Sequence, residues 1–265
     1  MITLALPTYS SNRILWLQLE SLCNQKTQYP WELILCEEVS AGYSGEIYVS
    51  FYEERLKEAG CVNIKFLHTP GNHWVPLSRK WVQIAKEAQF ENFMLCASDN
   101  YSAPDRIERT VQKHIEGYDW VHWQQGIFYS IPDQKHALYK LPSELRTGLY
   151  MSTKTSYIKD LDEKATTWPS SGIDQWIRDH SSIHSPYLFE ERPDGIHTDG
   201  FNQISGHRKF RYNNRHFNKV REPFHPDRGR WERAVPKYIS DMIKDVFSAK
   251  PKPLGSPWPP RFIPE

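Results

Sequence analysis

Apolar and polar positions alternate in blocks over the first 117 residues. "ITLALP" is a short apolar run stopped by Pro7, the pattern of a buried strand. In "SNRILWLQLESLCNQ", Ile14, Leu15, Leu17, Leu19 and Leu22 recur at helical spacing behind a Ser/Asn cap. "WELILCEE" is a second strand, apolar until it meets two carboxylates, and "IYVSFYEERLKEAG" is a helix that stops at Gly60. "NIKFLHT" is a third strand closed by "PGN". "PLSRKWVQIAKEAQ" then sets Trp81, Ile84, Ala85 and Ala88 on one side of a helix. "NFMLCASD" is a fourth strand, and "APDRIERTVQKHIEG" a helix with Pro104 near its first turn. This repeated strand–helix alternation predicts an α/β domain with a largely parallel sheet.

Beyond Gly117 the pattern is less regular. "DWVHWQQGIFYSI" reads as strand, with a hairpin as one arrangement of it, and "GIDQWIRDHSS" reads as a short helix. After residue 200 the chain turns polar, basic and aromatic, and "KPKPLGSPWPPRFIPE" is a proline-rich, extended tail. The expected division is an α/β domain over 1–200 and a basic, partly irregular C-terminal extension over 201–265. No internal repeat is visible.

Charge sharpens that division. The net charge is only +1, yet residues 201–265 carry 14 Lys and Arg against 6 Asp and Glu, while residues 1–200 carry 19 against 26. A basic extension on an acidic body points to an anionic partner for the extension. At 265 residues, 39% hydrophobic and 25% charged, the chain can bury a full core without staples. Cys23, Cys36, Cys61 and Cys96 have no CxxC spacing, and three of them adjoin apolar runs, so buried free thiols are expected. "MITLALPTYSSN" lacks the basic start and long apolar core of a signal peptide, and no window approaches the ~20 apolar residues of a membrane helix. A cytoplasmic location follows as the expectation.

Polar residues collect where the predicted strands end. Thr8 and Tyr9 follow the first strand, Glu37 and Glu38 end the second, Asn72 and His73 follow the third, and Asp99 and Asn100 follow the fourth. Ligands of open α/β sheets bind beyond these carboxyl ends. Asp119, Trp120, His122 and Trp123 in "YDWVHW" offer aromatic faces for an acceptor, or simple core packing. The stretch "HRKFRYNNRHFNKVREPFHPDRGRWER" interleaves nine Lys and Arg with aromatic side chains, a mix suited to phosphates and bases but also to a solvated surface.

The order of these motifs resembles the family-two glycosyltransferases of the GT-A (Rossmann-like) fold, over about residues 1–180. "LPTYSSNRILWLQLESLCNQ" is similar to the family's P-T-Y-N opening with S-L-x-x-Q. "ELILCEEVS" is similar to E-I-I-V-V-D-D-G-S, with Glu37 and Glu38 in place of two aspartates. "GNHWVPLSRKWVQIAKEA" is similar to N-x-G…A-R-N-x-G…A, keeping Arg79 and replacing the asparagine by Lys80. "CASDNYSAP" is similar to D-A-D-D-x-x-x-P, with Ala97 at the first aspartate and Asp99 retained. "DLDEKATTWPSSGIDQW" places Asp162, Glu163 and Asp174 in the family's positions, with Ile173 where a glutamate precedes the catalytic aspartate.

The resemblance implies a transferase that moves a sugar from a nucleotide-sugar, a UDP-sugar in the first instance, to an acceptor hydroxyl with inversion. It implies that Pro7, Thr8, Tyr9 and Glu37 hold the nucleoside and that Arg79 faces the diphosphate. Asp99, with Asn100 assisting and His197 of "GIHTDGF" completing the set, would hold Mn²⁺ or Mg²⁺, which take hard oxygen donors. Asp174 would be the base that takes the acceptor's proton. Each residue also has an ordinary reading: a turn aspartate (Asp99), a loop histidine (His197), a strand-end carboxylate (Glu37), a helix-surface arginine (Arg79), a first-turn helix carboxylate (Asp174). Two other functions fit the same residues: glycosylation of hydroxylated DNA bases, and a non-catalytic GT-A-like module that binds nucleic acid or glycan. The acceptor stays open between these partners.

Overall fold

A computed structural model of the chain describes residues 1–8, 12–38, 45–69, 75–98, 100–130, 135–140, 151–161, 173–180, 183–190, 195–199 and 230–232. At 12–14, 126–130, 135–140, 173–175, 178, 196–199 and 230–232 it describes the backbone alone. In chain order the elements begin β1 (Ile2–Thr8), α1 (Asn12–Cys23), β2 (Trp31–Glu38), α2 (Gly45–Ser50), α3 (Glu53–Glu58), β3 (Cys61–Thr69) and α4 (Leu77–Glu87). They continue with β4 (Asn92–Leu95), β5 (Asn100–Ser102), α5 (Arg106–Ile115), β6 (Trp120–Trp123), β7 (Gln125–Ser130) and β8 (Lys135–Lys140). The last are β9 (Met151–Lys154), α6 (Thr155–Lys159), α7 (Ile173–His180), β10 (Pro186–Phe189), β11 (Gly195–Asp199) and β12 (Arg230–Glu232).

The expected α/β architecture is present. A seven-stranded sheet has the order β10-β6-β9-β4-β1-β2-β3, and among the described residues only β9 runs against the other six strands. The apolar runs of β1 and β2 lack polar alternation because both faces are covered. Leu4, Leu6, Leu33 and Leu35 belong to one core with Leu15 and Leu19 of α1 and with Val49, Tyr52 and Leu56. Their sequence neighbours Ala5, Ile34 and Cys36 belong to the other core, with Trp81, Ile84 and Ala85 of α4 and Ile177 of α7. This is the period-two alternation of a strand, read in size rather than polarity.

The chain lays β2 and then β3 on one side of β1, and returns to lay β4 on the other. The switch point therefore lies between β1 and β4, at their carboxyl ends. Pro7 marks the split. Cys96 N donates to Ala5 O at 2.9 Å, so Ala5 and, two residues on, Pro7 turn their backbone toward β4. Pairing with β4 stops at Ala5, so the N–H that Pro7 lacks removes no ladder bond.

Three sequence expectations change. The helix expected over 47–60 is two short helices. Phe51 N and Tyr52 N bond Tyr48 O and Val49 O, a tightened turn between α2 and α3 that keeps Val49, Tyr52 and Leu56 in one core. The fourth strand ends at Leu95, and Asn100–Ser102 is a separate strand in another sheet. "DWVHWQQGIFYSI" is not a hairpin. β6 lies buried in the large sheet, and β7 starts a five-stranded sheet of order β12-β8-β7-β11-β5, where its hairpin partner is β8. Within 201–265, Arg230–Glu232 forms β12 on β8.

Candidate functional site

The described crevice is built from the ends of β1, β2 and β3 and the start of α4. Thr8 lies opposite Glu37 in the parallel register, and Glu38 opposite Thr69. Glu37 is 4% exposed, and its Oε2 accepts the Gly45 N–H at 2.7 Å. Thr69 Oγ1 donates to the Glu37 carbonyl at 3.3 Å, fixing the end of β2 against β3. Burial pushes the Glu37 carboxyl above the usual carboxylate range, with the Gly45 N–H, His68 and Lys80 pulling the other way. Gly45 makes this approach possible: a Cβ there would sit 3.2 Å from the Leu35 side chain and 3.3 Å from Glu37 Oε1.

Thr8 is 3% exposed, and its Oγ1 has no hydrogen-bond partner among the described residues. A buried hydroxyl in that condition is uncommon in a folded chain and marks a place where a ligand group or water is needed. The Thr8 carbonyl, by contrast, accepts from Lys80 Nζ at 2.7 Å. Lys80 also pairs with Glu38 Oε1 at 2.7 Å, and Glu38 Oε1 accepts the Val75 N–H at 3.1 Å just ahead of α4. Arg79, one residue before Lys80, is exposed on α4.

In the smaller sheet, β5 and β11 meet just beyond the end of β4 in the chain. Antiparallel pairing puts His197 opposite Asn100 and Gly195 opposite Ser102. Residues 97 apart in sequence are thus neighbours, and His197 lies across from the residue that follows Asp99. β11 comes so close to β5 that a Cβ on Gly195 would lie 2.1 Å from the Tyr101 carbonyl oxygen. Arg106 braces the same turn from beneath, donating to Leu95 O at 3.1 Å and Ser102 Oγ at 2.9 Å, one partner on each side of 96–101.

Of the residues singled out in the sequence, Pro7, Thr8 and Glu37 come together at the carboxyl ends of β1 and β2, with Arg79 on the adjoining helix. Tyr9, Asn72, His73, Asp99, Asp162 and Glu163 lie outside the described residues. The backbone of Asp174 is in the first turn of α7, whose Ile177 joins the core that holds α4. Among the described residues no group of three or more His, Cys, Asp or Glu gathers as a metal site. Trp120 and Trp123 are core residues, and Asp119 is occupied: its carboxylate accepts His184 N, Ser185 N and Tyr157 Oη. All four cysteines are free, and burial pushes Cys23, Cys36 and Cys61 to about 12, as expected of structural thiols. No described helix is long and apolar enough to cross a membrane. The sequence reading missed the Lys80–Glu38 pair, Gly195 and Arg106. The one signal available for the pair was that Lys80 and Glu38 both depart from the family pattern.

Comparison with known proteins bears on the family and the fold. The profile described as Glycosyl transferase family 2 matches residues 3–168. S. aureus TarS 1-349 superposes with a TM-score of 0.56 at 15% identity, covering 74% of this chain and 60% of that one. The same fragment in complex with UDP gives 0.54 at 14% identity, with the same coverage. A further S. aureus TarS structure gives 0.55 at 15%, over 75% of this chain and 37% of that one. The chain thus spans 60% or less of these proteins, and at such identity the likeness shows the GT-A fold. No curated protein sequence matches the chain.

Proposed function

The chain belongs to glycosyl transferase family 2, and from that membership we propose that it transfers a sugar from a UDP-sugar to an acceptor hydroxyl with inversion. The observation that carries this reading is the pair Thr8 and Glu37: a buried hydroxyl with no partner among the described residues, opposite a carboxylate with one oxygen committed to Gly45, at the carboxyl ends of β1 and β2. Among the described residues no hydrogen bond occupies Glu37 Oε1, which can accept an N–H or O–H. That suits the single imide N–H of uracil or a ribose hydroxyl better than the paired N–H donors of guanine. UDP is also the nucleotide in one of the S. aureus TarS structures.

In the reaction, Asp174 accepts the acceptor's proton as its oxygen attacks the anomeric carbon. The bond from that carbon to the diphosphate oxygen breaks, and its electron pair leaves with the diphosphate. One displacement inverts the centre, so one base suffices. Arg79 meets the growing negative charge of the leaving group. Asp99 and His197 are the residues we assign to a divalent cation, Mn²⁺ or Mg²⁺, whose chemistry would be to neutralise the same diphosphate. The register of His197 against Asn100 supports that assignment.

The test is calorimetry and turnover with UDP-sugars. Asp174→Asn should lower transfer or donor hydrolysis by about 10²–10⁴-fold while UDP binding persists. Absence of UDP binding by the intact chain would refute the donor assignment, and full turnover in Asp174→Asn would refute the base.

A further inference from the structure

We infer that Lys80 and Glu38 act as one positioning unit that holds three walls of the nucleotide crevice in register, an inference that rests on the donor reading above. The side chains of Lys80 and Glu38 are 3% and 1% exposed, and their charged ends meet each other. Three of their partners belong to the ends of β1 and β2 and the approach to α4. Lys80 Nζ donates to the carbonyl of Thr8, the last residue of β1. It pairs at 2.7 Å with Glu38, the last residue of β2 and the neighbour of Glu37. Glu38 in turn accepts the Val75 N–H, which sets where the chain enters α4 and so where Arg79 stands.

A buried ion pair is not the cheapest way to fill a core, since apolar side chains of similar size often serve stability as well or better. What the pair adds is direction. An ammonium that must satisfy a carbonyl and a carboxylate in a dry site fixes both, whereas apolar contacts tolerate sliding. The two residues also depart together from the family pattern, which has an asparagine at position 80 and an aspartate at 38. Two longer side chains replace them, and they meet each other. In this chain the two departures meet each other next to Thr8 and Glu37.

The role is tested on the full chain with UDP as the probe, by calorimetry, thermal melting and exchange of the Val75 amide. Lys80→Met/Glu38→Met removes both charges and should melt near the wild-type temperature. Its UDP Kd should rise at least about tenfold, and its Val75 amide should exchange faster, because the tie to α4 is gone. Glu38→Asp keeps the charges but shortens the reach by one methylene, and should raise the Kd about threefold with little change in melting. If the double variant does not fold, Glu38→Asp decides. A folded variant of either kind that binds UDP as the wild type does overturns the positioning role. Failure of the wild-type chain to bind UDP overturns the donor reading, and this role with it.

Discussion

Glu32 and Glu37, five residues apart on one buried strand, show what a single carboxylate does when its surroundings differ. Glu32 is saturated by Thr3 Oγ1, Asn63 Nδ2 and Gln89 N, and is a structural post. Glu37 has the Gly45 N–H and a burial penalty. Because its folded pKa is raised, the anion costs stability: the contribution is neutral below the ordinary carboxylate pKa of about 4.3 and is lost as pH rises from there to the folded value. Glu37→Gln keeps an oxygen for Gly45 and removes that cost. We expect it to melt at or above the wild-type temperature at neutral pH while UDP binding weakens about tenfold, the worth of a hydrogen bond to a charged group. Wild-type UDP binding should likewise weaken on acidification through the folded pKa.

His114 gives the opposite sign. It is buried, with Nδ1 2.8 Å from Tyr118 O and Nε2 2.8 Å from Ser152 Oγ, and burial lowers its pKa to about 4. The unfolded chain then binds a proton that the folded one does not, so stability present above about pH 6.5 drains away as pH falls toward 4, by about 3 kcal/mol in all. Urea unfolding between those pH values should show this slope in the wild type and lose it in His114→Gln. Neither residue's behaviour was legible in sequence, where a strand-end glutamate and a helical histidine look like any other. The cause in each case is burial by distant segments.

Elements were legible where the pattern was local. β1 to β4 and the helices between them follow from apolar runs and helical spacing, because each buries its own face against the sheet. The boundaries that failed are set by non-local partners. Nothing in "WVHWQQGIF" says that the chain changes sheets at Gln124, and nothing near Asn100 says that β11 will pair with it. That pairing depends on Gly195. An alanine methyl would lie 2.1 Å from Tyr101 O, which is backbone and cannot swing aside. Gly195→Ala should therefore push β11 off β5, cost about 1–3 kcal/mol in urea unfolding, and depress transfer by displacing His197 from Asn100. Gly117→Ala is the control: its φ is +100° with nothing within 4 Å of the added methyl. It should cost about 1–2 kcal/mol through backbone strain alone and leave the rate unchanged. Equal rate losses in the two variants would show that lost stability, and not the β5–β11 register, governs activity.

At the scale of the whole molecule, the sequence order put the polar ends of β1 and β2 together, because the topology of a parallel sheet sets all carboxyl ends on one side. It could not show that the small sheet brings residue 197 to residue 100, nor that Arg230–Glu232 returns to β8. β11 runs antiparallel to β5, so its carboxyl end at Asp199 lies beyond Asn100, on the side of the 96–99 turn. The chain thus passes from that side of β5 into its basic extension, 14 Lys and Arg against 6 Asp and Glu over 201–265, after an otherwise acidic body. An anionic donor that joins these parts binds only the folded chain and must stabilise it by mass action. At UDP about 100-fold above its Kd with Mn²⁺ present, the gain is about 2.7 kcal/mol. For a chain of this size that is a rise of about 5–10 °C in melting temperature. The three components separate by condition. A chelator should return most of the shift if Asp99 and His197 hold a cation between protein and diphosphate. Raising the salt should erode what remains, since surface basic residues are screened and buried contacts are not. UMP, which keeps the base and ribose but carries one phosphate, should retain only the part due to Thr8 and Glu37. A shift that survives chelation unchanged would remove the cation from the proposal and leave the nucleotide in place, and a shift equal for UDP and UMP would remove Arg79 and the diphosphate contacts.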